Sequence, residues 1–189
     1  VVALAGILAY DEFVTRPASR ASSGPPAVRP TARAAFRSAS RAAGRWQGDA
    51  ELAGAVLHYA PSDPAEGDAQ WAFQFYSPET RRVGLFVVID GDATLLRDTL
   101  SPYEMSTADV GGWSVDSDEA LAAWWESGGR YLMNRRSDAE VVMRLSPSER
   151  EAGGAIWSVT GSIPEGRSGY ALTMNALDGS VIRNQDAEE

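Results

Sequence analysis

Two hydrophobic rhythms alternate along most of the chain. Residues 32–46 place alanines and Phe36 at helical spacing behind Thr31, a good N-capping residue, and predict a helix. Period-two or continuous apolar runs follow at residues 49–57, 71–76 and 85–89, each reading as a strand. A turn at Asp90-Gly91-Asp92 leads into a short return through Leu95, Leu96 and Arg97. The order then recurs. Asp116, with Glu119 three residues on, forms a capping-box pair and opens a helix running through Leu121, Trp124, Trp125 and Gly128 toward Leu132. Strands are expected at residues 138–145, 156–160 and 170–174, then a turn at 175–179 and a return through Val181, Ile182 and Arg183.

Asp-Ala-Glu opens the first strand of both halves, an aromatic marks the second strand, and an arginine ends the last. Equivalent positions lie about 85–89 residues apart over four elements, as in Asp49 and Asp138 or Arg97 and Arg183, which argues for an internal duplication. The predicted class is α+β: two tandem modules, each a helix on its own small antiparallel sheet, over residues 31–110 and 111–184. The second half, closing on Asn175-Ala176-Leu177-Asp178-Gly179-Ser180-Val181-Ile182, resembles the PepSY family, where a helix precedes an antiparallel sheet with an Asp-Ala-x-Thr-Gly-like turn. The first half resembles it more weakly, with Asp90-Gly91-Asp92-Ala93-Thr94 at the turn. That resemblance implies an extracytoplasmic, often membrane-tethered module that binds or inhibits other proteins, and it carries no catalytic residues.

Ahead of the modules, residues 1–10 are uncharged and apolar, ending at Tyr10; the end of a membrane anchor covering residues 1–13 is the expectation, with the tail of an uncleaved signal sequence or a soluble core strand or helix as the alternatives. Residues 14–30 hold four prolines and read as an extended tether. Asp11 and Glu12 suit an exported flank, whereas Arg16, Arg20 and Arg29 suit a cytoplasmic one. With the PepSY resemblance, the soluble part is expected on the extracytoplasmic, periplasmic side. Residues 185–189 read as a solvated acidic tail.

Charge sharpens this picture. The first 48 residues hold seven arginines and two acids, +7 − 2 = +5, so the remainder carries −9 − 5 = −14. An acidic body excludes a nucleic-acid partner on electrostatic grounds. Arg33, Arg37, Arg41 and Arg45 recur every fourth residue and stack on one helix face, at a cost of a few tenths of a kcal/mol per like-charged pair, so an anionic counter-surface is favoured. Either the acidic body and water, or lipid headgroups and an acidic partner, can supply it. Trp124 and Trp125 point about 100° apart on a helix, so one joins the core and the other lies at its edge, either simply as the margin of the core or against a partner or pigment-like ligand.

Candidate chemistry is sparse. With no cysteine, thiolate chemistry is excluded. His58, the only histidine, has no nucleophile-elbow serine pattern beside it and reads as solvent-facing or structurally bonded. Asp90-Gly91-Asp92 lacks calcium-loop spacing and reads as a turn. No cofactor is expected. The leading reading is a non-catalytic accessory subunit of a larger membrane complex, respiratory or photosynthetic for example, docking through its anchor, through Arg16, Arg20, Arg29, Arg33, Arg37, Arg41 and Arg45, and through Trp125. The alternative is a membrane-tethered regulator or inhibitor of an exported hydrolase, and a third is an enzyme using His58.

Overall fold

The computed structural model describes residues 27–59, 70–109, 113–135, 139–149, 153–163 and 168–188. The expected anchor and most of the tether, with Arg16 and Arg20, lie outside them. Among the described residues no helix is long and apolar enough to cross a membrane.

Helix α1 (Ala32–Trp46) is followed by β1 (Glu51–Tyr59), β2 (Trp71–Ser77), β3 (Arg82–Ile89) and β4 (Asp92–Leu100). Next come α2 (Ser117–Trp124), a π-helical turn (Trp125–Gly129) and α3 (Arg130–Arg135), then β5 (Glu140–Pro147), β6 (Ala155–Ser162), β7 (Ser168–Asn175) and β8 (Val181–Glu188). All eight strands form one antiparallel sheet in the order β4-β3-β2-β1-β5-β6-β7-β8. The class is therefore α+β, but the expectation of a separate sheet for each module is corrected: β1 pairs with β5, Ala55 opposite Leu145 through Tyr59 opposite Val141. A four-stranded meander ending at β1 would leave a row of unpaired backbone groups, and β5 satisfies them.

The registers carry one row of side chains across the whole sheet: Leu95, Phe86, Phe73, Ala55, Leu145, Trp157, Met174 and Val181. All helices pack on the face this row belongs to. On α1 the buried positions are Ala32, Ala35, Ala39, Ala42 and Ala43, whose lack of bulk lets the helix backbone approach the sheet, while Phe36 reaches Phe73 and Trp113 at ring separations of 5.9 and 5.8 Å. Trp157 stands 6.0 Å from Trp113 and 6.1 Å from Trp71, so aromatic rings bridge the two halves over the β1–β5 seam.

Each indole is also anchored. Trp71 Nε1 donates to the Pro30 carbonyl at 2.9 Å and Trp157 Nε1 to the Val115 carbonyl at 2.9 Å, in each case the residue just before a helix N-cap. The helix N-termini meet there. Asp116 Oδ1 accepts from Ser117 N at 2.7 Å and from Arg33 N at 3.1 Å, and the buried Ser117 hydroxyl accepts from Ala32 N at 2.9 Å. Glu119 returns a bond from Asp116 N at 2.8 Å, completing the expected capping box.

Three further expectations change. The helix from Asp116 does not run smoothly to Leu132: it loosens into the π-helical turn and kinks at Gly128, whose φ is 156°. The Tyr170 ring occupies the space where a Cβ at Gly128 would stand, and its hydroxyl donates to the Ser127 carbonyl at 2.7 Å. Trp124 drops into a slot floored by Gly129 and Gly161 and donates to the Tyr170 carbonyl at 3.0 Å. The return strands are also longer than expected, and residues 185–188, read as a free tail, belong to β8 paired along β7. Backbone pairing, not side-chain hydrophobicity, sets the length of such an edge strand. Finally, both Trp124 and Trp125 are buried, at 0% and 9% exposure, so the second indole sits at the margin of the core and not out on the surface.

Trp157→Phe keeps a ring in the aromatic bridge but removes one donor to Val115 and some packing. It should cost about 2–3 kcal/mol in urea unfolding. Gly161→Ala would push a methyl to 2.5 Å from the Trp124 ring. It should cost about 1–3 kcal/mol by the same measurement.

Candidate docking surface

The outward side of α1 follows from its inward one. Because alanines occupy the sheet-facing positions, the arginines fall on the far side, and Arg37, Arg41 and Arg45 are exposed. Arg41 spends its Nε on the Arg37 carbonyl at 3.2 Å and a terminal nitrogen on Ser38 Oγ at 3.3 Å. Neither bond brings a counter-charge. Among the described residues the one ion pair is Arg82 with Asp98 at 2.7 Å, on β3 and β4, so no carboxylate pairs with the three stripe arginines. Arg45 lies in the last turn, where the helix dipole favours a cation. Arg29, ahead of the helix, is exposed as well.

Arg33 is a different case. It is half-buried, donates to the Trp113 and Ser114 carbonyls and lies with its guanidinium carbon 5.8 Å from the Trp113 ring centre. Its charge ties α1 to the segment before α2, a structural use that four-residue spacing could not reveal. The stripe available to a partner is therefore Arg37, Arg41 and Arg45. Trp125, with 9% of its surface accessible, offers a partner little.

Other candidates for chemistry do not converge. His58 is exposed at the end of β1 opposite Val142. Asp90 and Gly91, at φ 51° and 83°, form the tight turn between β3 and β4, as expected. Among the described residues no cluster of His, Asp and Glu could hold a metal ion. A recess of about 450 Å³ opens between α1 and the start of β1, with Phe36, Phe75 and Leu52 below and Glu51 and Asp109 at its rim, and Thr107 Oγ1 donates to Glu51 at 2.6 Å. Its lining contains no histidine and no paired acid and base.

Carboxylates elsewhere are structural. Asp49 accepts from Glu79 N at 2.8 Å and from the Ser77 hydroxyl at 2.7 Å, which hold its carboxyl below the usual range and pin the β2–β3 turn. Asp98 is lowered chiefly by its hydrogen bond from Arg82. The nearby Trp46 indole acts in the same direction, although its N–H completes no hydrogen bond of good geometry. Asp178 is lowered by bonds from the Ser180 hydroxyl and backbone N–H in the β7–β8 turn.

No family model and no curated protein matches the chain. Among solved structures, the fold is similar to that of "a putative lipoprotein" from Clostridium difficile 630, with a TM-score of 0.48 and 9% identity, over 80% of this chain and 91% of that one.

The three lowered carboxylates set the acid response. Their folded values lie below the ordinary 3.8, so the stability they contribute is present above about pH 4 and is lost as pH falls through 3.8 toward the folded values. Melting temperature followed from pH 6 down to pH 2.5 should fall in that window. Asp49→Asn with Asp98→Asn should melt lower at pH 6 and lose less on acidification.

Proposed function

We propose that this chain is a non-catalytic accessory subunit of a larger membrane protein complex, docking through the exposed face of α1. The carrying observation is the set Arg37, Arg41 and Arg45, aligned on one side of a helix, exposed, and without an ion pair among the described residues. Three like charges at four-residue spacing oppose one another, and an anionic surface on a partner subunit relieves that cost. In this reading the apolar start of the chain anchors it, residues 14–30 bridge to the complex, and the folded part lies on the extracytoplasmic side.

The same reading includes an internal duplication of a PepSY-like module. Its support is positional. Trp71 and Trp157 are 86 residues apart and donate to Pro30 and Val115, which are 85 apart. An extra residue interrupts each edge-strand register at Leu96 and at Ile182, again 86 apart, and an arginine follows both. A regulator or inhibitor of an exported hydrolase uses the same tethered binding domain and is the second reading, resting on the PepSY resemblance.

Native membranes solubilised in mild detergent and separated by size provide the test, with this chain followed by mass spectrometry. Co-migration with a stoichiometric large assembly is expected for the natural chain. Arg37→Ala, Arg41→Ala and Arg45→Ala together should release it while leaving its melting temperature unchanged or slightly higher, because the substitutions relieve repulsion. Migration of the natural chain as a free small protein would overturn the proposal.

A further inference from the structure

Every helix lies on one side of the sheet, which leaves a second broad surface. The registers place Thr94, Val87, Ala72, Val56, Arg144, Ser158, Thr173 and Arg183 in one row on the face opposite the helices. The next row carries Arg97, Leu85, Gln74, Gly54, Ser146, Ile156 and Asn175. An antiparallel sheet covered on one side normally turns polar residues outward. β3 departs from that rule, since its outward positions include Leu85, Val87 and the 49%-exposed Ile89. With Ala72 on β2 and Val56 on β1 they make a partly exposed apolar patch three strands wide.

Arginines flank the middle of the patch on two sides, and Asp92 on β4 stands opposite Ile89 at its end. Arg97 on β4 and Arg144 on β5 are both exposed, four strand spacings apart, about 19 Å at about 4.8 Å per strand. Neither row contains an acidic residue, in a chain with 26 of them against 17 arginines. The distance across three strands, about 10 Å, matches the 10–12 Å diameter of an α-helix with its side chains. Small outward residues at Gly54 and Ala72 keep the middle flat enough for one to lie down.

We infer that this open sheet face is a docking surface for an amphipathic α-helix of a partner protein, with its apolar stripe on β1–β3 and acidic residues along its margins meeting Arg97 and Arg144. The surface is separate from the α1 stripe and on the other side of the molecule, so it survives failure of the α1 reading. An anionic membrane or a second copy of the chain would use the same arginines or the same apolar patch, and the experiment distinguishes them.

The probe is a fluorescein-labelled 18-residue helical peptide with a leucine stripe and glutamate margins, titrated with the full chain and read by anisotropy. A matched peptide with lysine margins is the control. The glutamate peptide should bind in the micromolar range and the lysine peptide at least tenfold more weakly. Leu85→Glu should abolish binding, and Arg97→Ala or Arg144→Ala should each weaken it two- to fivefold, while Arg37→Ala with Arg41→Ala changes it less than twofold. Circular dichroism confirms that each variant is folded. Absence of glutamate-peptide binding, or binding indifferent to Leu85→Glu and Arg144→Ala, would overturn the inference. So would binding of phosphatidylglycerol vesicles that is lost in Arg144→Ala without any peptide binding, which assigns the face to lipid. Self-association abolished by Leu85→Glu, again without peptide binding, would assign it to a second copy.

Discussion

The seam between β1 and β5 is the constraint on which the rest of the molecule depends. Each meander alone ends on an open strand, and joining them at these two strands satisfies both edges at once. The seam also fixes the alternation of side chains on all eight strands, because one register error would turn every apolar residue to the wrong side. Above it, Trp71 and Trp157 converge on one another while their indole N–H groups hold the chain just before each helix. The placement of the helices is therefore tied to strand pairing by two hydrogen bonds and a pair of rings. Asp116 and Ser117 complete the tie by capping α1 from the second half, so neither half can shift alone.

How much of this was legible in the sequence varies by residue. Thr31, Asp116 and Glu119 marked the helix starts because capping is local chemistry, and the strand cores were visible from apolar alternation. The β1–β5 pairing was not legible, since no local signal says which strands of two similar modules become neighbours. The kink was hidden for a related reason: Gly128 and Gly129 look like ordinary helix weakeners until Tyr170 and Trp124 arrive from strands and helix to fill their space. On the candidate surface, four-residue spacing grouped Arg33 with Arg37, Arg41 and Arg45, yet the Trp113 and Ser114 carbonyls single out Arg33 for a structural bond. For Trp125 the reading separated the core from its edge but could not say how little of an edge indole stays accessible, 9% of its surface.

The molecule has a layered polarity of function. The helix layer presents arginines outward at a distance from the sheet, set by alanines that draw α1 close. The sheet layer presents smaller residues with arginines spaced across strands. Both surfaces place positive charge on a strongly acidic chain, and among the described residues these arginines form no ion pair. In both proposed docking modes it is this local reversal of the overall charge that steers an anionic partner to those faces.

The interruptions at Leu96 and Ile182 bear on the outer strands in another way. Both edges of an eight-stranded sheet offer unpaired backbone groups, and β4 carries exposed Leu95, Leu96 and Leu100 along one of them. A flat edge of that composition would invite further strands and grow into fibres. A single extra residue in each outer strand bends and twists it, so the hydrogen-bonding groups on either side of the bulge no longer lie on a line that another strand could follow. The sheet thus carries its own stop signals at both ends, which oppose growth by addition of further strands.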